Sequence, residues 1–93
     1  MENVLYLTEL YDYYANLFTD KQKSYFEDYY FDNLTMEEIA ENNNVSKNAI
    51  SKTLIEVKEK LIEYESNLHL YEKRKEIEKL LDEKTIDIIK DYI

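Results

Sequence analysis

The sequence predicts an all-α protein: a helical domain with a helix-turn-helix and a long C-terminal helical extension. The 93 residues include neither glycine nor proline, whereas sheet proteins rely on glycine in their tight turns. Apolar residues recur at intervals of three and four, as they do along one face of a helix. Ser, Thr and Asn stand at the breaks between these stretches, where they cap helices and form turns. We therefore expect a single helical domain over residues 1–93.

The first two helices are predicted from their apolar faces. Helix one is expected over residues 2–18, with one apolar face made of Leu7, Leu10, Tyr11, Tyr14, Leu17 and Phe18. Thr19 and Gln22 then have the spacing of a capping box, in which each side chain accepts the other's backbone N–H. Helix two is expected to continue to Phe31 and to bury Tyr25, Phe26, Tyr29 and Tyr30.

A helix-turn-helix is predicted at residues 36–55. Thr35 begins a second capping box, the three asparagines at 42–44 end a short helix, and Ser46 is a good N-cap for the next one. Ala40 supplies the small residue that two crossing helices need, and Asn44 occupies the turn position where glycine is commoner. Four apolar residues are expected to fix both helices to the core: Ile39, Val45, Ile50 and Leu54.

The extension carries an apolar seam with the heptad spacing of a coiled coil. The seam consists of Ile50, Leu54, Val57, Leu61, Tyr64, Leu68 and Tyr71. Its phase is lost after Tyr71, which predicts either one kinked helix or two helices bent near residues 66–72, and Thr85 is expected to cap a last short helix. The seam could pack against helices one and two or against a second copy. We expect the distal part of residues 56–93 to support a homodimer.

Composition argues against several classes of function. Without cysteine there are no disulfides or thiolate metal sites, and without glycine there is no phosphate-cradling loop. His69 is the only histidine, so we expect it to have a surface or packing role, and we expect no enzyme activity, cofactor or metal site. No apolar run approaches the ~20 residues of a membrane span, and the N-terminus lacks a signal-peptide pattern. We expect a cytoplasmic protein without membrane insertion.

The charge distribution points to one candidate site. The net charge is −9, which opposes binding to a polyphosphate. Residues 46–60 nevertheless carry four lysines against two glutamates, and no acidic residue lies between Asn42 and Ile55. If the second helix of the motif reads DNA, its outward residues are Ser46, Lys47, Asn48, Ser51 and Lys52. These residue types suit phosphates and base edges.

Several markers in residues 10–75 carry a family resemblance. They are the Thr19–Gln22 start, the Ile39-Ala40 pair, the Val45–Lys47 turn and the Tyr64–Tyr71 stretch. This part of the chain resembles the YlxM family of small bacterial helix-turn-helix proteins, and its helices also resemble region four of sigma factors. YlxM genes lie beside those of the signal recognition particle GTPases. The resemblance therefore implies an all-α fold and a regulatory role in that pathway, with a signal recognition particle protein or RNA as a partner.

Two functional hypotheses remain open. The first is a regulator that uses helix four to bind DNA, and the positive charge of residues 46–60 favours it. The second is an acidic protein-interaction adaptor that contacts a signal recognition particle component without reading DNA. Its contact residues would be the carboxylates of Glu37, Glu38 and Glu41, and the overall acidity of the chain favours it.

Overall fold

A computed structural model of the protein describes residues 3–81, which form five α-helices and no strand. The helices are α1 (Val4–Tyr14), α2 (Asp20–Tyr30), α3 (Met36–Asn43), α4 (Lys47–Leu68) and α5 (Leu70–Leu80). The all-α prediction is confirmed, whereas the helix expected after Thr85 lies outside the described residues. Of the helices in residues 3–81, none is both long enough and apolar enough for a bilayer crossing.

The first helix ends earlier than residue 18, where the sequence placed its end. After Tyr14 the chain forms one 3-10 turn at Ala15–Leu17, and Phe18 is extended, with φ −105° and ψ 156°. The extended backbone leads into Thr19, whose own extended conformation allows it to cap α2. Phe18 is still buried, whereas Leu17 is 54% exposed. The prediction was therefore right about the other members of the buried face and wrong about Leu17 and about the length of the helix, because the 3-10 turn interrupts the α-helical spacing.

Both predicted capping boxes are present. The Thr19 hydroxyl accepts the Gln22 N–H at 3.2 Å, and the Gln22 side chain accepts the Thr19 N–H at 2.9 Å. The same reciprocal pair joins Thr35 and Glu38, at 3.1 and 3.0 Å. Since the first N–H groups of a helix have no partner within it, these boxes fix where α2 and α3 begin.

The core lies where α1, α2 and α3 pack against the first two-thirds of α4. Its side chains without any exposed surface are Leu10, Phe26, Ile39, Ile50, Val57 and Leu61. Aromatic rings supply much of the remaining buried area, as in the stack of Tyr11 on Phe26 with ring centroids 4.4 Å apart. Tyr29 and Tyr30, which were expected to be buried, are half-buried at the edge of this core.

The apolar seam of the extension packs within the chain. Its members up to Leu61 are in the core, the Tyr64 ring lies 5.9 Å from that of Tyr14, and the Tyr71 ring lies 5.5 Å from that of Tyr6. Leu68 alone departs from the pattern, because α4 ends there and leaves the side chain 45% exposed. The seam therefore does not provide a continuous surface for a coiled coil.

The break between α4 and α5 falls within the predicted interval. His69 adopts the left-handed conformation, with φ 56° and ψ 30°, and its N–H donates to the Glu65 carbonyl at 2.9 Å. This conformation is uncommon for a residue with a Cβ atom. It turns the chain so that α5 returns towards α1 rather than continuing the axis of α4. Two bent helices, rather than one kinked helix, are found.

Candidate nucleic-acid interface

The turn between α3 and α4 has the backbone geometry of a helix-turn-helix. Asn44 is left-handed, with φ 54° and ψ 45°, and ends α3. The Val45 N–H donates to the Ala40 carbonyl at 3.0 Å, which closes the turn. The Ser46 hydroxyl then accepts the Ala49 N–H at 3.1 Å and begins α4. Asparagine can stand at the position where glycine is commoner because it tolerates this backbone.

The residues expected to hold the motif together are in place. Ile39, Ala40, Ile50 and Leu54 are buried in one cluster, with Val45 half-buried against it. Ile50 and Leu54 are one helical turn apart and fix the inner face of α4. The opposite side of the same turns must then face outward.

The five predicted contact residues lie at the N-terminal end of α4, away from the core. Ser46, Lys47, Asn48 and Lys52 are exposed, and Ser51 is half-buried. Within residues 3–81, no ion pair involves Lys52. These side chains are brought together on one outward surface that carries positive charge and hydrogen-bonding groups, which is the chemistry that DNA contacts require.

Lys47 is not free, a feature that the sequence analysis missed. Its Nζ lies 2.8 Å from Oε1 of Glu37 on α3, and both side chains are more than half exposed. The hydrogen bond with Lys47 lowers the pKa of Glu37, and the same hydrogen bond raises the pKa of Lys47. The sequence analysis had considered Glu37 as a contact residue for a basic partner and not as a partner of Lys47. Glu37 and Lys47 are ten residues apart, a spacing that does not indicate a contact in the sequence. Their contact across the turn depends on how the two helices cross.

An open groove borders this surface. It has a volume of about 540 Å³ and runs between the end of α2 and the start of α3, with Tyr29, Tyr30 and Met36 in its wall and Lys47 at its rim. A smaller cavity of about 90 Å³ shares the same three residues and reaches Ser51 on α4. The two predicted residues Lys47 and Ser51 therefore lie beside a surface rich in aromatic side chains.

A second polar cluster, also missed, joins α4 to α5. The carboxylate of Glu65 is buried and accepts the Tyr14 hydroxyl at 2.7 Å, the Tyr71 N–H at 3.0 Å and the Glu72 N–H at 3.1 Å. His69, the residue before α5, gives that helix no side-chain cap. Glu65, which lies on the preceding helix, caps α5 instead. Its oxygens accept hydrogen bonds from two of the N–H groups at the start of α5.

Burial and hydrogen bonding act in opposite directions on the pKa of Glu65. Burial raises it, but the hydrogen bonds from Tyr14 and from the N–H groups of Tyr71 and Glu72 together lower it further, so the net pKa lies below the ordinary value of 4.5. Glu65 is therefore ionised at neutral pH. The negative charge also sits at the positive end of the α5 dipole.

The same cluster has the donor types of a metal site. One ligand atom each from Glu65, His69 and Glu72 lies within 4.8 Å of the others, and the sequence analysis had found no partner for His69. Both Glu65 oxygens already accept hydrogen bonds from the protein. A bound cation would have to replace contacts that hold α5, so the arrangement is explained as a helix cap. The i, i+4, i+7 spacing of these residues is the signal that could have revealed the grouping.

The fold and this turn define the class: a helix-turn-helix protein. The chain belongs to the UPF0122 family, described as "Putative helix-turn-helix protein, YlxM / p13 like", whose model matches residues 1–92. The resemblance to YlxM proteins is thereby confirmed, and it extends beyond residues 10–75.

Three relatives illustrate the similarity. A UPF0122 protein of Ureaplasma urealyticum serovar 10 is 50% identical over 70 residues, which cover 75% of this chain and 71% of that protein. One from Fusobacterium nucleatum subsp. nucleatum is 34% identical over 92 residues, or 99% and 85% of the two chains. One from Geobacillus sp. WCH70 is 33% identical over 93 residues, or 100% and 80%.

Proposed function

We propose that the protein is a regulator that binds duplex DNA through the N-terminal end of α4, acting in the signal recognition particle pathway. The observation that carries the DNA-binding part is the outward surface of Lys47, Asn48 and Lys52, in a stretch of 14 residues (42–55) without a carboxylate. A lysine side chain can donate hydrogen bonds to a phosphate or to guanine, and an asparagine side chain can form a pair of hydrogen bonds with adenine. The link to the pathway rests on the resemblance to YlxM proteins alone.

Binding in this way requires Lys47 to exchange partners. In the protein without DNA, the ammonium group of Lys47 is paired with the carboxylate of Glu37. Exposed ion pairs of this kind contribute little to stability, so a phosphate can replace the carboxylate at low cost. Glu37 would then lie close to the DNA backbone and repel it. The acidic start of α3 therefore weakens binding to DNA of any sequence and leaves affinity dependent on the few contacts made by α4.

Lys52→Glu is expected to weaken binding to a fluorescent duplex by about tenfold or more at low salt, because it reverses a charge that faces the DNA. Lys60→Glu is the matched control. It makes the same change in net charge two turns further along α4, at a lysine paired with Glu63 at 3.4 Å. Fluorescence anisotropy titrations compare the three proteins. Equal losses in both variants would mean that net charge alone, and not the outward surface, controls binding.

Glu37→Gln is expected to tighten DNA binding several-fold, because it frees Lys47 and removes a nearby negative charge. Glu41→Gln makes the same change on the same helix, at an exposed residue with no ion pair within residues 3–81. The same titrations compare the two variants. A gain of equal size in both would show that the ion pair has no particular effect.

The second candidate is an acidic adaptor that contacts a signal recognition particle component. Its support is the exposed row of Glu37, Glu38 and Glu41 next to the aromatic groove. Capture of the tagged protein from its own cells, with and without nuclease, separates the two candidates, since an adaptor retains its partner after nuclease treatment. The Glu37→Gln variant also separates the two candidates, because they predict opposite effects. It is expected to weaken binding to a basic protein partner and to tighten binding to DNA.

A further inference from the structure

The groove between the end of α2 and the start of α3 has an apolar wall that the proposed DNA contacts do not use. Its apolar lining consists of Val4, Tyr29, Tyr30, Leu34 and Met36. Val4 is 48% exposed, and the other four are half-buried. A small-molecule site encloses most of its ligand, whereas this groove is open. It therefore suits the side chains of a chain segment that lies across it.

The chain around the groove is acidic. Residues 24–46, which supply most of its lining, carry six carboxylates and neither lysine nor arginine. Glu37 lines the groove itself, and the Glu38 carboxylate accepts the N–H of Thr35, another lining residue, at 3.0 Å. Lys47 is the one basic residue among the described residues that line the groove, and it is paired with Glu37. The groove therefore lies in a field of negative charge.

We propose that this groove binds a basic segment of another protein. An apolar side chain of that segment is seated against Tyr29 and Met36, and its lysines or arginines face Glu37 and Glu38. Methionine adapts to side chains of different shapes, and a tyrosine ring offers apolar area next to a hydroxyl group. The proposal rests on the second candidate function rather than on DNA binding. It adds the chemistry of the partner and the place where the partner binds.

The same charges argue against other occupants. The phosphates of a nucleic acid would be repelled by the carboxylates around the groove. A second copy, placed by a two-fold axis, would bring this acidic surface against itself. Residues 82–93 of the chain carry four carboxylates against two lysines, so their charge has the same sign as that of the groove. A basic segment of another protein is the occupant whose charge complements it.

The test is the affinity of the full chain for a fluorescent peptide in which two leucines lie between two runs of three lysines, measured by fluorescence anisotropy. In one matched peptide, serines replace the leucines, which removes the apolar anchor and keeps the charge. This peptide is expected to bind about tenfold more weakly. In the other, glutamates replace the lysines, and no binding is expected because carboxylates would face carboxylates.

Two pairs of variants locate the peptide on the protein. Met36→Ser is expected to weaken binding by about tenfold through the lost apolar contact. Ile62→Ser is its control, since Ile62 is 47% exposed on α4 and lies outside the groove, and is expected to leave the affinity unchanged. Glu37→Gln is expected to weaken binding several-fold, and Glu63→Gln, which makes the same change in net charge on α4, is expected to have little effect.

Val4→Ser keeps the test independent of any loss of folding, because Val4 lines the groove but is 48% exposed, and it is expected to weaken binding several-fold. The proposal is overturned if the serine peptide binds the wild type as tightly as the leucine peptide. It is equally overturned if Met36→Ser and Ile62→Ser lose the same affinity. A wild type that binds the leucine peptide but no DNA would contradict the proposed DNA binding and leave this site intact.

Discussion

Replacing Ile50 by alanine is expected to lower the free energy of unfolding by about 2–5 kcal/mol. Ile50 has no exposed surface and lies in the first turns of α4, where it packs into the core. The substitution removes buried apolar surface and leaves a cavity that the neighbouring side chains fill only in part. Since small domains have total stabilities of about 5–15 kcal/mol, the loss is large. Urea unfolding followed by circular dichroism measures it.

Ile55→Ala provides the comparison on the same helix. Ile55 is 52% exposed and lies on the outward side of α4, so its truncation is expected to change stability by no more than about 0.5 kcal/mol. The difference between two identical substitutions, five residues apart, reports which side of α4 is buried. Similar losses for both variants would contradict the orientation of the helix on which the DNA-binding surface depends.

Glu65→Ala is expected to cost roughly 2–4 kcal/mol, because it removes a buried acceptor of three hydrogen bonds and leaves two N–H groups at the start of α5 without a partner. Hydrogen exchange gives a local readout: the amides of Tyr71 and Glu72 are expected to exchange much faster in the variant. Glu63→Ala is the control, since Glu63 is exposed and its pair with Lys60 contributes little. Unchanged protection of both amides in Glu65→Ala would refute the capping role.

The same carboxylate predicts a pH dependence. The folded-state pKa of Glu65 lies below the unfolded value of 4.5, so the unfolded chain binds the proton more tightly. The stability contributed by its ionised form is therefore fully present above about pH 4.5 and is lost as the pH falls through the folded-state pKa. Glu65→Gln cannot titrate and is expected to lose less stability than the wild type over this interval, as measured by urea unfolding at several pH values.

Much of the fold was predictable because its signals are local. Two capping boxes, three consecutive asparagines and Ser46 lie within a few residues of the groups they bond, so their spacing in the sequence fixes where helices start and stop. The outward position of Lys47 and Lys52 follows from the same reasoning. Once Ile50 and Leu54 are assigned to the core, helical periodicity determines the opposite side.

What could not be predicted depends on contacts between distant parts of the chain. Glu65 meets the Tyr14 hydroxyl across 51 residues, and nothing around it in the sequence separates it from the solvated glutamates of α4. The heptad spacing of the seam indicated a buried side of the helix but not its partner. That partner proved to be α1 and α2 for most of the seam, while the left-handed turn at His69 exposed Leu68.

Selection from a pool of random duplex DNA tests the central claim most directly. The claim is that the outward surface of α4 contacts base edges as well as phosphates. The wild type and Glu37→Gln are expected to enrich one common sequence, and Asn48→Ala is expected to lose or alter that preference while keeping the fold, because Asn48 is exposed. The absence of any enriched sequence with the folded wild type would contradict the account.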